Sequence, residues 1–427
     1  MAAAPLATPV QLALKAEALV DLTSTSTDAA ATVISQQQRA LTAALRRNLR
    51  PSAPGPLVVI YDIEGTTTPL PFVTAALFPY SAAHMDAFVD ANMTDEVLKA
   101  SGGIDHQPTK ADGSTAAEGG PDEKMVRIAA DALAHFHATA TTSTTLETPE
   151  AQRGAIKRVM HAAIRDNLKV PFLKTAQGMI WRHGYEGGAL RGRLFDDAAT
   201  AIRQLGHDDS KHHSAARVFS PGAVSQHIYS SGSIPAQLLL FRHSSHGDLT
   251  PALAGYHDPT VVGSKLEAAS YANLKRRIAS SVVAQESLGA GEGAMSAASL
   301  GLPKLVSSSA DSDEQLLKGI VFVTDSLAEL KAANAAGGIV GVLSVRPLNA
   351  PLPKDEDEFG AAIGGEKAAA DLTSVVSFDQ LVKAIAEVCG GSGCGVPVDA
   401  AELQFALAKD EVTDLAPKAS SDRKSFT

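Results

Sequence analysis

Two carboxylates two residues apart follow a short apolar run near residue 60. Asp62 comes directly after Leu57–Tyr61, and Gly65 and Thr66 continue in a turn-forming sequence. A carboxylate at the end of a strand can act as a covalent nucleophile. Side chains in an extended segment repeat their direction every two residues, so Glu64 can donate and accept a proton beside Asp62. Taken alone, the pattern Asp-x-Glu-Gly equally fits a loop with acids that face solvent.

Further polar positions supply what phosphate chemistry needs. Ser230 and Ser231, in Tyr-Ser-Ser-Gly-Ser, offer hydroxyl and backbone N–H groups to a phosphoryl oxygen, although the same sequence fits a helix N-cap. Lys265, in Gly-Ser-Lys, can supply a positive charge, although a lone lysine is normally a solvated surface residue. Asp325 would lie beside Asp62, where two like charges repel unless a cation lies between them. Mg²⁺ suits such a site because it prefers oxygen ligands and commonly bridges to phosphate.

Strands that alternate with helices must position these residues. Alternation of this kind indicates right-handed crossovers and a parallel sheet, in which ligands bind beyond the carboxyl ends of the strands. Asp62, Ser230 and Asp325 each end an apolar run, so we expect them at one edge of the sheet. The approach to Ser230 is more polar than a buried strand usually is. The strand candidates are Leu57–Tyr61, Gln226–Tyr229, Gly319–Val323, Ile339–Val345 and, more weakly, Val375-Val376 before a helix over Phe378–Val388.

These motifs, in this order, resemble the haloacid-dehalogenase superfamily of phosphatases. They resemble one branch closely, the acireductone synthases, which are the enolase-phosphatases of methionine salvage. Glu64 stands where most of the superfamily carries a second Asp, and Glu is typical of this branch. The resemblance covers roughly residues 56 to 388 with gaps, and its motifs are Asp-Ile-Glu-Gly-Thr-Thr-Thr-Pro at 62–69, Leu-Phe-Pro-Tyr at 77–80, Gln-Gly-Met-Ile-Trp at 177–181, Ile-Tyr-Ser-Ser-Gly-Ser at 228–233 with Ala236-Gln237, and Val-Arg-Pro at 345–347 with Asn349.

The resemblance implies an α/β fold, with a Rossmann-like parallel sheet core of the haloacid-dehalogenase type and a helical cap inserted after the first strand. It implies that Asp62 is the nucleophile and Glu64 the acid/base residue. The implied activity converts 2,3-diketo-5-methylthiopentyl 1-phosphate to its enol and then hydrolyses the phosphate to give acireductone. The implied Mg²⁺ site consists of Asp62, Glu64 (through its backbone carbonyl) and Asp325, and the implied phosphate site of Ser230, Ser231 and Lys265.

The chain is longer than the family core. Residues 1–54 alternate Ala-rich and Ser/Thr-rich pieces and end in a Pro-rich break, so we expect a flexible extension outside the catalytic unit. The core is predicted over 55–81 and 191–389, the helical cap over 82–190 and a disordered tail over 390–427. Stretches rich in Gly, Ala, Ser or His are expected to be inserts at 101–121, 206–221 and 289–313.

Composition excludes several classes of protein. The net charge is −10, from 37 basic and 47 acidic residues, so the chain is a poor candidate for binding nucleic acid. No apolar run approaches the roughly 18 residues that span a bilayer, and the N-terminus lacks the charged start of a secretory signal. Cys389 and Cys394 cannot form a disulfide framework or a four-cysteine zinc site. We therefore expect a cytoplasmic monomer, with the nucleus as a second location, that binds a small phosphate substrate and neither nucleic acid nor membrane.

Two alternatives stay open. One is a Mg²⁺-dependent phosphatase of the same fold that acts on another small phosphate ester. Only residues of the cap would distinguish it from an enolase-phosphatase. The other is a non-catalytic scaffold that binds partners through its Ala-rich extensions. The joint presence of Asp62, Glu64, Lys265 and Asp325 argues against the scaffold.

Overall fold

The computed structural model describes residues 7–20, 27–53, 55–102, 121–139, 146–206, 219, 223–287 and 317–389. Most of the three predicted inserts and all of the predicted tail lie outside these residues. The chain divides into two units, one with the described residues of Met1–Phe72 and Gly192–Thr413 and the other with those of Val73–Arg191. The predicted cap, 82–190, falls within the second unit.

A six-stranded sheet lies at the centre of the first unit. All of its strand pairs are parallel, in the order β3-β2-β1-β4-β5-β6. This confirms the predicted α/β fold with a parallel sheet. Every residue of β1 and β4 is buried, which explains why these two strands are continuous apolar runs. The strands are β1 (Leu57–Tyr61), β2 (Val224–Tyr229), β3 (Gly255–His257), β4 (Gly319–Thr324), β5 (Val340–Ser344) and β6 (Thr373–Val375).

Helices of the first unit cover the two faces of this sheet. The regular elements described in the second unit are all helical and include a π-helical turn at Val73–Leu77. Those of the first unit are α1 (Pro9–Val20), α2 (Thr27–Asn48), α8 (Asp196–Leu205), α9 (Ile234–Arg242), α10 (Pro259–Val262), α11 (Ala268–Ser287), α12 (Leu327–Ala336), α13 (Glu356–Ile363), α14 (Glu366–Ala370) and α15 (Phe378–Cys389), with a 3₁₀ turn at Thr250–Ala252. Those of the second unit are α3 (Phe78–Asn92), α4 (Asp95–Ser101), α5 (Glu123–Thr139), α6 (Pro149–Arg165) and α7 (Pro171–Glu186). Among the described residues, no helix is both long and apolar enough to cross a lipid bilayer.

The register of the central strands determines where their carboxyl ends, and the residues that follow them, lie. Tyr61 of β1 pairs with Ile228 of β2 on one side and with Val323 of β4 on the other. The backbone N–H of Asp62 still donates to the carbonyl of Val323 at 2.9 Å. The chain therefore leaves β1, β2 and β4 at the same edge of the sheet, as the sequence predicts.

The N-terminal segment differs from the expected flexible extension. Helices α1 and α2 bury Val10, Ala13 and Ile34 in the same apolar cluster as Val58 and Ile60 of β1. Alanine and scattered aliphatic residues at helical spacing form an apolar face here, and the low-complexity composition conceals it. The described part of residues 1–54 thus belongs to the sheet-containing unit.

Polar contacts fix α2 against the far edge of the sheet. Gln37 Nε2 donates to Ser374 Oγ of β6 at 2.9 Å, and Thr42 Oγ1 donates to Glu387 Oε2 of α15 at 3.0 Å. Gln380 Nε2 of α15 donates to the carbonyl of Ile34 at 3.2 Å. Buried polar groups cost free energy unless they are hydrogen-bonded, so these paired side chains specify one docking position for α2.

Strand β2 begins at Val224 and is buried in spite of its polar sequence. Gln226 accepts a hydrogen bond from the hydroxyl of Tyr61 at 2.7 Å and donates to the carbonyls of Ile202 and Ala252 at 2.8 and 3.0 Å. Its polar groups are therefore satisfied inside the unit, and a polar residue at this position is compatible with a central strand.

Candidate active site

A buried cluster of charged groups lies at the carboxyl edge of the sheet. Asp62, the first residue after β1, is 6% exposed, and its Oδ1 lies 2.5 Å from the Nζ of Lys265. The same Nζ lies 2.7 Å from Oε2 of Glu329. Lys265 is only 7% exposed, so it is not the solvated surface lysine that its type most often predicts. One ammonium group thus joins two carboxylates in a site shielded from water.

The loop that presents Lys265 is built locally. It follows α10, which Asp258 caps by accepting from the N–H of Thr260 at 2.9 Å. Gly263 ends α10 at φ +108°, and a Cβ there would overlap the side chain of Ser270, so a glycine is required. The hydroxyl of Tyr271 donates to the carbonyl of Lys265 at 2.9 Å. These contacts direct a long, flexible side chain to a single position.

The charge of Lys265 is stable at this position. Burial lowers the pKa of its ammonium group, but the negative charges of Asp62 and Glu329 outweigh burial and raise the pKa above its ordinary value. Lys265 therefore remains protonated at neutral pH. It can stabilise negative charge, and it is unsuited to act as a base.

Glu329 is the functional candidate that sequence reasoning missed. It lies in the first turn of α12, where its N–H donates to the side chain of Ser326 at 3.4 Å and its carboxylate accepts from Thr324 Oγ1 at 2.8 Å. Burial, together with the charge of Asp62, raises the pKa of Glu329 to about 7. The pattern Ser-x-x-Glu before a helix is typical of a capping box, which is a purely structural signature. The available signal was its position four residues after Asp325, at the edge where the site was expected.

Asp325 follows β4 and packs directly on the loop after Asp62. Gly65 of that loop has φ +71°, and a Cβ there would overlap the carboxylate of Asp325 and the amide of Asn349. Burial, and then the charges of Asp62 and Glu329, raise the pKa of Asp325 to about 7. The structure therefore brings Asp325 to Asp62, as the sequence predicts.

Asn349 connects this loop to the segment after β5. Its Nδ2 donates to the carbonyl of Gly65 at 3.0 Å and to the carbonyl of Ser344 at 3.2 Å. Nearby, the guanidinium of Arg346 donates to Asp197 at 2.7 Å and is buried. Asn349 belongs to one of the family motifs in the sequence, and its contact with Gly65 shows that it holds the loop after Asp62.

The remaining predicted residues lie at the same edge but make different contacts. Ser230 is buried, its N–H donates to the carbonyl of His257 at 3.2 Å, and its Oγ accepts from the N–H of Gly232 at 3.3 Å. Ser231 is exposed. Glu64 is half-buried in a turn that is closed by the N–H of Gly65 donating to the carbonyl of Thr68 at 2.8 Å. Asp62, Lys265 and Asp325 thus form the cluster, and the two serines follow the neighbouring strand.

Comparison with known proteins decides the family. The chain is 33% identical over 279 residues to enolase-phosphatase E1 of Parvibaculum lavamentivorans, an alignment that covers 65% of this chain and 82% of that relative. It is 31% identical over 320 residues to enolase-phosphatase E1 of Drosophila grimshawi, which covers 75% of this chain and 96% of the relative. The chain belongs to the enolase-phosphatase E1 family. It is therefore a phosphatase enzyme, and the resemblance found in its motifs is confirmed.

Other comparisons of this enolase-phosphatase E1 family member are more distant. No family model matches the chain. The UTR4 protein from Saccharomyces cerevisiae is 24% identical with a TM-score of 0.40, and the alignment covers 71% of this chain and 94% of that one. The L-2-haloacid dehalogenase PA0810 is 14% identical with a TM-score of 0.31, and the alignment covers 78% of this chain and all of that one.

The acids of this enolase-phosphatase E1 family member fit the Mg²⁺ ion that the motifs imply. Asp62 and Asp325 converge, and their repulsion contributes to the raised pKa of Asp325, which a divalent cation would reverse. Within the described ranges, no group of three or more His, Cys, Asp or Glu side chains forms a ready-made metal cluster. Mg²⁺ does not require one, since it keeps several waters and is usually held by one or two carboxylates together with substrate phosphate.

Proposed function

We propose that this protein converts 2,3-diketo-5-methylthiopentyl 1-phosphate to acireductone and inorganic phosphate in methionine salvage. The observation that carries the proposal is the buried pair of Asp62 and Lys265, with Asp325 and Glu329 beside it, at the carboxyl edge of the sheet. Membership of the enolase-phosphatase E1 family supports this substrate over other phosphate esters.

The first step is a tautomerisation. A proton leaves carbon 1 of the substrate and a proton is taken up by the oxygen on carbon 2, which gives the enol phosphate. Negative charge develops on that oxygen as the C–H bond breaks. The protonated Lys265 is suited to stabilise such charge because it is fixed in a site shielded from water, where a preorganised charge acts strongly.

The second step is transfer of the phosphoryl group to Asp62. An oxygen of Asp62 forms a bond to phosphorus, and the bond from phosphorus to the oxygen on carbon 1 of the enol breaks. Glu64 gives a proton to that leaving oxygen. Water then attacks the phosphorus of the aspartyl-phosphate, Glu64 takes its proton, and Asp62 is regenerated as phosphate leaves. In this scheme Ser230, Ser231 and Lys265 hold the phosphoryl oxygens.

Mg²⁺, held by Asp62, Asp325 and the backbone carbonyl of Glu64, would supply positive charge to the phosphoryl oxygens. Side chains of the protein orient the carboxylate of Asp62 in this site. Thr324 Oγ1 lies 3.4 Å from Oδ2 of Asp62, while Lys265 occupies the Oδ1 side. The two oxygens of the nucleophile therefore have different partners, which fixes the plane of its carboxylate.

Phosphate release from the diketo phosphate, with Mg²⁺ and with EDTA, tests the proposal. The same assay with p-nitrophenyl phosphate separates this substrate from a generic ester. We expect rapid release from the diketo phosphate that depends on Mg²⁺. Brisk hydrolysis of p-nitrophenyl phosphate alone would favour a phosphatase for another small ester, and no release from either would contradict the proposal.

The variant Asp62→Asn tests the covalent step. The amide is nearly isosteric but is not nucleophilic, so essentially all turnover should disappear. Asp371→Asn is a matched control, because Asp371 is exposed and precedes the amino end of β6, at the opposite edge of the sheet. Full activity of Asp62→Asn would show that Asp62 is not the nucleophile.

A further inference from the structure

A segment after β5 links the site to helix α1. The segment Arg346–Leu352 contacts the Asp62 loop through Asn349 Nδ2, which donates to the carbonyl of Gly65 at 3.0 Å. At its other end, the N–H of Leu352 donates to Oε1 of Glu17 at 2.6 Å. Glu17 lies in the third turn of α1, outside the part of the chain that carries the family motifs. A side chain from the N-terminal helix thus holds a segment that itself holds the catalytic loop.

A small polar cavity lies between α1 and this segment. Its volume is about 70 Å³, and it is lined by Glu17 and Val20 on one side and by Asp325, Ser344 and Asn349 on the other. Ser344 Oγ and Asn349 Oδ1 are buried and have no hydrogen-bond partner among the described residues. A polar cavity of this size has room for ordered water that would satisfy such atoms. Helix α1 therefore closes the space directly beside Asp325.

The backbone of the segment requires support. Leu348 has φ +68°, in the left-handed region that a leucine rarely adopts, and its side chain is 49% exposed. Exposed residues in such a conformation persist only where the surroundings determine it. The contacts that hold the segment include those of Asn349 with Ser344 and Gly65 and that of Leu352 with Glu17.

We propose that α1 is a positioning element of the active site, and that Glu17 is the positioning residue. By holding Leu352, Glu17 fixes the segment Arg346–Leu352, so that Asn349 keeps Gly65 and the Asp62 loop against Asp325. Glu17 does not touch the reacting atoms. This inference rests on the proposed function for its kinetic test and on the geometry alone for its structural test.

The variants Glu17→Ala and Glu17→Gln distinguish positioning from general stability. Alanine removes the acceptor for the N–H of Leu352, whereas glutamine keeps an oxygen at the same position. We expect kcat of Glu17→Ala on the diketo phosphate to fall about tenfold, with KM changed less than twofold. The reason is that loss of one charge-assisted hydrogen bond can lower the population of molecules with a correctly positioned segment by about that factor. Glu17→Gln should retain kcat within about threefold of the wild type.

Gln11→Ala is the matched control on the same helix. Gln11 Nε2 donates to Oε1 of Glu356 at 2.8 Å, so the variant loosens the other end of α1 without touching the segment. Hydrogen–deuterium exchange of the metal-free protein gives a readout that does not depend on turnover. In Glu17→Ala, amides of residues 62–68 and 346–352 should exchange faster than in the wild type, and in Gln11→Ala they should not.

Each outcome decides the inference. Unchanged kcat and unchanged exchange in Glu17→Ala, or equal losses in Glu17→Ala and Gln11→Ala, would overturn it. If Glu17→Ala does not fold, Leu352→Pro removes the N–H donor while α1 keeps its sequence, and the same expectations apply. If the wild type releases no phosphate from the diketo phosphate, the proposed function fails, and the exchange comparison alone still supports or refutes the positioning role.

Discussion

Replacing Lys265 by methionine tests the electrostatic structure of the site. Methionine is similar in length and volume, so the change removes the ammonium charge and leaves little empty space. In the wild type, Nζ of Lys265 lies 2.5 Å from Asp62 and 2.7 Å from Glu329. At an effective dielectric constant near 20, each contact corresponds to an attraction of about 6 kcal/mol before the cost of desolvation. The variant leaves the carboxylates buried and uncompensated.

The net loss is smaller than these attractions and depends on pH. Removal of one partner of a buried ion pair costs about 3–5 kcal/mol, and we expect that loss in the free energy of unfolding at pH 8. The pKa of Glu329 is about 7 in the wild type even though Lys265 lowers it, so the pKa rises further without Lys265. A carboxyl group whose folded pKa exceeds its unfolded value stabilises the fold less as pH rises between the two values. The loss in the free energy of unfolding that Lys265→Met causes should therefore be largest above pH 7. It should become smaller towards pH 5, where Glu329 is protonated.

Urea unfolding of the metal-free proteins, followed by circular dichroism at pH 5.5 and pH 8, measures this loss. Lys157→Met is the control, since Lys157 forms an ion pair of 2.7 Å with the exposed Asp90 in the second unit. Its loss should stay below about 1 kcal/mol at both pH values. A loss under 1 kcal/mol for Lys265→Met at pH 8, or an equal loss at both pH values, would refute the reasoning.

Three further predictions follow from the geometry of the site. Glu64→Gln should lower kcat by about 10²–10⁴-fold, the usual contribution of general acid–base catalysis, and full activity in a phosphate-release assay would contradict its role. Leu348→Gly should raise the free energy of unfolding by about 0.5–1 kcal/mol, because glycine adopts φ +68° without steric cost, and a lower urea midpoint would contradict this. The pKa of Asp325 is raised to about 7, so the metal-free protein should lose stability as pH rises from about 4 to about 7. Mg²⁺ should then raise Tm more at pH 8, where Asp325 is ionised, than at pH 5. A Mg²⁺ effect on Tm that does not change with pH would count against Asp325 as a ligand.

The central strands and the residues at their ends could be predicted because their signals are local. A strand buried on both faces is a continuous apolar run, and β1 and β4 are such runs. The parallel topology then places Asp62 and Asp325 together without knowledge of any other contact. The cytoplasmic location and the monomeric state stay predictions.

Other features could not be predicted because their signals are shared with ordinary structure. Glu329 matches a helix-capping pattern, so its pairing with Lys265 is evident only from the fold. Strand β3 has three residues, too few for a periodic pattern to show. The burial of Lys265 depends on Gly263 and Tyr271, contacts that no spacing rule encodes.

The Ala-rich composition of the N-terminus was misleading for a related reason. Alanine fits disordered low-complexity segments and closely packed helices equally well, and only a partner surface separates the two. In this chain the partner is the sheet itself, since Ala13 and Ala16 of α1 lie in the same apolar cluster as Ile60 of β1. Composition alone could not show that surface.

Helix α1 reaches the carboxyl edge of the sheet, where the candidate site lies. Asp62, Ser230 and Asp325 follow β1, β2 and β4 at the carboxyl edge of the parallel sheet, the edge at which ligands bind in such folds. Glu17 of α1 accepts a hydrogen bond from the N–H of Leu352, in the segment that follows β5 at the same edge. Helix α1, which lies outside the part of the chain that carries the family motifs, therefore has a direct route to influence the chemistry.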